Sequence, residues 1–270
     1  MAFTYKHVII VGIDGAGNFY LKDENCAPNI RRFMTQGYSC DNCLTAVPTD
    51  SGQCWSTMLM GVTSKIHGIH NDKLSAAPHS LATDEHPTLY RIIRESMPDA
   101  VLGCFSNWNP INYGLVDDDR TTKDTGEDDG LCDRICEYVK TQKPNFLFIQ
   151  FDSVDGAGHA HGYGSELHLN QINVCDGYAG RIYEAYREAG ILEDTLFIVT
   201  TDHGGYGRGH GSDTDEEKWV FVAIKGKTVN KGGAIDRMQV KDFPAITLRA
   251  LGLPANPNWM SHVPEGIFAE

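Results

Sequence analysis

No apolar run in the 270 residues approaches the roughly 20 needed to cross a bilayer. The opening His7-Val8-Ile9-Ile10-Val11-Gly12 also lacks the basic, apolar and small-residue regions of a secretory leader. A cytoplasmic protein that binds no membrane is expected. Positive charge is scarce, with 23 Lys and Arg against 36 Asp and Glu and a formal net charge of -13. Phosphate contacts dominate nucleic-acid affinity, so this deficit argues against a polynucleotide partner. It would also repel a small anionic substrate unless bound cations reversed the local sign, which is a first indication of metal. Paired cysteine motifs are missing too. Cys40 and Cys43 form a C-x-x-C with no second pair after it, and Cys132 and Cys136 have the spacing of neighbours on one helical face. The 8 cysteines therefore read as reduced, mostly buried thiols. No internal repeat, low-complexity tract or linker divides the chain. At 41% hydrophobic and 22% charged it should form one compact domain over 1–270.

What is present is an alternation of short apolar runs with longer stretches of helical period, the pattern of a parallel sheet covered on both faces. The class is α/β. Strands are expected at 7–13, 100–105, 145–151, 195–201 and 219–224, and helices at 28–36, 52–60, 88–96, 130–141, 167–189 and 243–251. Gly190 and Gly252 fall where left-handed caps would end two of the helices. The charged stretch 117–129 has no apolar period and reads as a surface loop or lid; the Pro- and Asn-rich tail beyond Leu253 reads as irregular.

In open parallel sheets ligands bind outside the carboxyl ends of the strands, and this chain concentrates polar residues there. Asp14 follows the first strand. Alone, such an aspartate more often caps a turn. Asp155-Gly156-Ala157-Gly158-His159 follows the strand at 145–151, and a carboxylate with a nearby imidazole suits a borderline-soft ion such as zinc. Asp202-His203 ends a strand and is followed by His210 in a glycine-rich turn; both side chains would be costly to leave unpaired, so a functional role is favoured. Ser51 stands at the expected start of a helix, where backbone N–H groups and the helix dipole attract an anion, although most serines there only cap. His161 and His168 are expected to line or surface the site rather than ligate. Asp152 could bond a ligand imidazole, and Trp108 reads first as core.

Taken in order, these pieces resemble the alkaline phosphatase superfamily, most closely its type I phosphodiesterase/nucleotide pyrophosphatase branch. The ordered set is a strand ending in Asp14, Pro48-Thr49-Asp50-Ser51, Gly61 with His67-Gly68-Ile69, Asp155-x-x-Gly158-His159, Asp202-His203-Gly204 and His210. Residues 242–252 echo the family's last helix. The resemblance implies a three-layer α/β/α fold with a mostly parallel central sheet and, in a chain this short, no large cap insertion. It implies two divalent ions, zinc first with manganese or magnesium as alternatives. One would be held by Asp155, His159 and His210, the other by Asp14, Asp202, His203 and Ser51. Ser51 would be the nucleophile, forming a phosphoseryl intermediate on a small phosphate-ester substrate.

The sequence departs from the branch in one telling place. A Thr nucleophile with Asn three residues later is usual, whereas Ser51 and Cys54 stand here. A thiol is a poor amide substitute, so Gln53, Asn107 and Asn109 join Cys54 as candidates for contacting a phosphoryl oxygen. The Cys-x-Pro-x-Arg of sulfatases is absent around Cys54, which argues against sulfate esters. Phosphodiester or nucleotide pyrophosphate cleavage is the leading reading. Monoesters, phosphonates and phosphomutase chemistry on the same site are the alternatives, with a positive side chain such as Arg120 beside the site as the mark of a monoesterase. A metal- or nucleotide-binding module is the non-enzymatic one.

Overall fold

The computed structural model describes residues 4–235 and 237–269. Among these residues nine strands form one sheet: β1 (His7–Ile13), β2 (Tyr38–Leu44), β3 (Leu102–Ser106), β4 (Thr122–Asp124), β5 (Phe146–Phe151), β6 (Thr195–Thr200), β7 (Trp219–Lys225), β8 (Gly233–Ala234) and β9 (Met238–Gln239). Their order is β4-β3-β5-β1-β6-β7-β2-β8, with β9 also on β2. From β4 to β6 every pair is parallel, and β7 alone runs against its neighbours β6 and β2.

All of β1 is buried, because helices cover both of its faces. Val8 and Ile10 point into one apolar cluster with Trp55, Met58, Ile93 and Ile246, from helices Ser51–Met60, Leu89–Ser96 and Phe243–Leu251. Ile9, Val11 and Ile13 point into the other with Ile30, Phe33, Leu131, Ile135 and Ile182, from helices Pro28–Gln36, Asp128–Gln142 and Glu166–Glu188. This alternation on a two-residue period produces the three-layer α/β/α arrangement. Gly190 and Gly252 both adopt a φ of 71° just past their helices. Among the described residues no helix is long and apolar enough to cross a membrane. All 8 cysteines are free and only Cys136 is not fully buried.

Two readings of the sequence need correction. The stretch 117–129 is not a free lid. Arg91 pairs with Asp117 at 3.0 Å and Arg94 with Asp118 at 3.1 Å, β4 joins the sheet edge, and Asp128 opens a helix with its side chain buried. Several of its charges are paired or buried within the fold, which composition alone does not reveal. The second is β2, hidden by the polar Asp41-Asn42. A register shift between Cys40 and Cys43 lets both thiols enter the same core cluster, breaking the period by which a strand is recognised.

His67 shows how the fold treats an imidazole away from the strand ends. Its Nδ1 accepts the Ile69 N–H at 3.0 Å, so Nε2 carries the proton and donates to Thr57 Oγ1 at 3.0 Å. Burial, with the charges of Lys73 and His86 adding, pushes its pKa down to about 4. An unfolded imidazole takes its proton near 6.5, so between these values the unfolded chain binds more protons. Stability should be full above about pH 6.5 and fall as pH drops through about 4. The loss of urea midpoint from about pH 7 to about pH 4.5 is expected to be smaller in His67→Gln than in the unmodified chain. Equal losses in both would show that His67 does not contribute in this way.

Candidate active site

The carboxyl ends of β1, β5 and β6 open on one edge of the sheet, and the segments that leave them carry the acidic and imidazole side chains. Asp14 directly follows β1 and is 1% exposed. Its Oδ2 accepts from Trp55 Nε1 and from Gln150 Nε2, each at 2.9 Å. Oδ1 faces Ser51 Oγ at 3.4 Å and His203 Nε2 at 3.4 Å. Asp202, fully buried past the end of β6, takes the N–H groups of Gly15 and His203 on Oδ1 at 3.1 and 2.9 Å. Its Oδ2 has no hydrogen-bond partner and lies 3.4 Å from His203 Nε2. Asp155 lies in the first turn of helix Ser153–His161, and His159 one turn later brings Nε2 to 3.2 Å from Asp155 Oδ2.

The three imidazoles share one orientation. Nδ1 of His203, His210 and His159 lies 2.7, 2.8 and 2.9 Å from the carbonyl oxygens of Gly204, Thr49 and Arg208. A carbonyl can only accept, so each Nδ1 carries a proton and each Nε2 turns a lone pair towards the carboxylates. Burial holds the pKa values of His203 and His210 below the ordinary imidazole range, favouring the neutral, ligating form. Burial first, then neighbouring carboxylate charge, pushes Asp14 and Asp202 well above the usual carboxylate range. Among the described residues no lysine or arginine side chain bonds to any of these groups. An orphaned carboxylate oxygen, crowded acids and converging neutral imidazoles form a donor set that fits divalent cations.

Two sets of donor atoms each gather within 4.8 Å: Asp14, Asp202 and His203, and Asp155, His203 and His210. His203 belongs to both, and its ring stacks on that of His210 with centroids 3.9 Å apart. His159 stands at the outer side of the second group, 46% exposed. Ser51 is the first residue of its helix, and its Oγ lies 3.0 Å from His203 Nε2, so the hydroxyl reaches the residue the groups share.

The substrate-binding candidates are placed differently. Cys54 is wholly buried, its thiol 3.7 Å from the Ala46 carbonyl, so it cannot meet a substrate. Asn107 is turned to Asp128 Oδ1 at 2.8 Å, and Asn109 accepts from Asn112 at 3.4 Å. Gln53 reaches Asp50 at 3.4 Å. Asp152 accepts from Gln150 at 2.8 Å rather than from an imidazole, because backbone carbonyls already hold the histidines. His168 is buried against Gly15 O at 3.2 Å, and Trp108 packs on the core.

Sequence reasoning overlooked several neighbours. Trp55 is four residues after Ser51, hence on the same helix face, and Gln150 is the lone polar residue in a strand buried throughout; both signals were readable. Tyr163, whose hydroxyl donates to Asp155 Oδ1 and whose ring lies edge-on to His159 and His210, left no sequence signal. Asn71 is a further omission: its Oδ1 accepts the Gly52 N–H at 2.6 Å, immediately after Ser51.

With this geometry in view, the sequence profile of the type I phosphodiesterase / nucleotide pyrophosphatase family matches residues 8–207. The chain belongs to this family. Its members are metal-dependent phosphoric ester hydrolases, and the chain is such an enzyme. Murine ectonucleotide pyrophosphatase / phosphodiesterase 5 has a similar structure, with a TM-score of 0.78 at 15% identity, covering 93% of this chain and 96% of that one. An inactive variant of the murine protein in complex with AMP gives 0.77 at 14% identity, covering 94% and 96%. A 2-O GAG sulfatase also gives 0.77, at 13% identity, covering 96% and 73%. At such identities these likenesses establish the shared alkaline phosphatase-like fold. No curated protein matches the sequence significantly.

Proposed function

We propose that this phosphodiesterase-family enzyme cleaves phosphate diesters of the nucleotide class, either phosphodiester or nucleotide pyrophosphate, with Ser51 as nucleophile. The observation that carries the reading is the Ser51 hydroxyl, 3.4 Å from Asp14 and 3.0 Å from His203, at the junction of the two donor groups. Asp14, Asp202, His203 and Ser51 would hold one divalent ion and Asp155, His159 and His210 the other, with zinc suited to this imidazole and carboxylate set. Such a pair supplies positive charge that acidifies the serine hydroxyl and offsets charge on the phosphoryl oxygens.

The chain's own residues account for the rest. Ser51 Oγ forms its bond to phosphorus as the bond to the leaving oxygen breaks opposite. Water then releases the phosphoryl group from Ser51, and two inversions leave the configuration retained. Asn71, anchored through Oδ1 on Gly52, has its amide NH2 available for a nonbridging oxygen, the role that Cys54 cannot fill. That no described lysine or arginine bonds at the centre supports a singly charged diester over a dianionic monoester. Arg120 precedes β4, which runs parallel to β3 and β5, so it lies at the opposite edge of the sheet from the strand ends that carry the site. The murine relative, in an inactive variant, is seen in complex with AMP, which supports a nucleotide substrate.

The test compares bis-nitrophenyl phosphate with nitrophenyl phosphate, using the metal-loaded enzyme and Asn71→Ala. The diester should have the higher kcat/KM, and Asn71→Ala should lose roughly 10²–10³-fold in kcat on it. Faster monoester turnover would overturn the diester reading, and full activity in Asn71→Ala would remove that residue from the account.

A further inference from the structure

We propose that Glu217 is a positioning residue for the hydrolysis, holding in register the three chain segments that carry Ser51, His203 and His210. The inference rests on the function proposed above. Glu217 lies in the short helix Asp215–Lys218, outside every motif, and is 3% exposed. Its carboxylate accepts from Thr49 Oγ1 at 2.5 Å and from the Ser212 N–H and hydroxyl, each at 2.6 Å. Its backbone carbonyl accepts the N–H of Gly204, the residue after His203, at 2.8 Å. One residue thus touches the turn before Ser51, the turn after His210 and the segment after His203.

Thr49 transmits the hold. It is fully buried two residues before Ser51, and while its hydroxyl donates to Glu217 it accepts the Gly211 N–H at 2.9 Å. Its carbonyl receives His210 Nδ1 at 2.8 Å, the bond that aims His210 Nε2 at Asp155. A displacement of Thr49 therefore moves the nucleophile turn and a ligand imidazole together.

A buried carboxylate without a cationic partner is an expensive way to stabilise a fold, and an apolar side chain of similar size is often no worse. Among the described residues no cation pairs with Glu217. Burial opposes its charge, yet the bonds from Ser212 and Thr49 hold its pKa down to about 2, so the acceptor stays ionised at any working pH. What it provides is a fixed distance between segments, and displacements near 1 Å are enough to cost about 100-fold in rate.

The experiment titrates cobalt(II) into chelator-treated protein, reading its absorption bands, and measures kcat and KM separately on bis-nitrophenyl phosphate. Glu217→Gln keeps the shape but places an amide NH2 against groups that also donate. It should weaken cobalt binding and lower kcat by roughly 10–100-fold each, the range seen when the orientation of a ligating histidine is disturbed, with KM little changed. Thr49→Val should show the same pattern and Thr49→Ser, which restores the hydroxyl, should recover most of the loss. Variants that melt earlier but bind cobalt and turn over like the unmodified chain would make Glu217 merely structural and overturn the proposal. If Glu217→Gln does not fold, the Thr49→Val and Thr49→Ser pair decides by the same readings. Cobalt affinity is read without turnover, so a failure of the proposed reaction would show elsewhere, as an active Ser51→Ala enzyme.

Discussion

Ser51→Ala should lose at least about 10³-fold in kcat/KM on every phosphate ester, on the order of 4 kcal/mol of transition-state stabilisation. The substitution removes one oxygen atom and little volume, at a site where the hydroxyl's described partners are Asp14 and His203. Among the described residues no second hydroxyl bonds to these two side chains, so none of them is placed to replace it. The fold should survive, because Ser51 begins its helix and the N–H groups of Gln53 and Cys54 already bond to the Asp50 carbonyl. A second readout follows from covalency: rapid acid quenching during turnover should leave the phosphoryl group, still carrying its remaining ester arm, on Ser51 in the active enzyme and nothing on the variant. Full activity in Ser51→Ala would refute the covalent mechanism, leaving water to attack directly.

Chelation should abolish turnover and lower thermal stability, and the second effect should depend on pH. Asp14 and Asp202 are buried carboxylates whose pKa values are raised by desolvation and by neighbouring acids. In the metal-free chain the folded state therefore holds protons that the unfolded state releases. The associated stability is present below the unfolded carboxylate value near 3.9 and is lost as pH rises through the raised folded values. A divalent cation supplies the charge that the protons otherwise supply. Binding at about 100 times Kd adds about 2.7 kcal/mol per site, roughly 5–10 °C in Tm for a chain of this size. The gain on adding zinc to chelated protein should be larger near about pH 8 than near about pH 5. An equal gain at both would mean that the two aspartates are not the groups the ion discharges.

The sheet and its helices were legible because their apolar periods are long and clean. β1 and the helices Pro28–Gln36 and Phe243–Leu251 have the bounds the pattern suggests, and other ends shift by a few residues where caps decide them. The acidic and histidine positions were legible for a different reason: charged groups placed directly after buried strands have few structural excuses. The contacts that aim them were not. His210 is oriented by a carbonyl 161 positions earlier in the chain and Asp14 by a glutamine 136 positions later, and no local pattern encodes such pairs. Cys54 misled because its position in a motif carried no information about which way its helix face turns. It points into the core, and the amide near Ser51 comes from Asn71 on a separate segment.

The position of β1 has a further consequence, for the order of events at the ribosome. This strand is synthesised well before its two neighbours, β5 and β6, whose residues lie near 146 and 195. Until both have emerged, an apolar ribbon with unpaired backbone groups must wait in solution, and pairing so distant in sequence is intrinsically slow. The site cannot assemble before β5 and β6 have joined β1. Nascent chains that stall before β6 are the ones most exposed to aggregation and most in need of a chaperone.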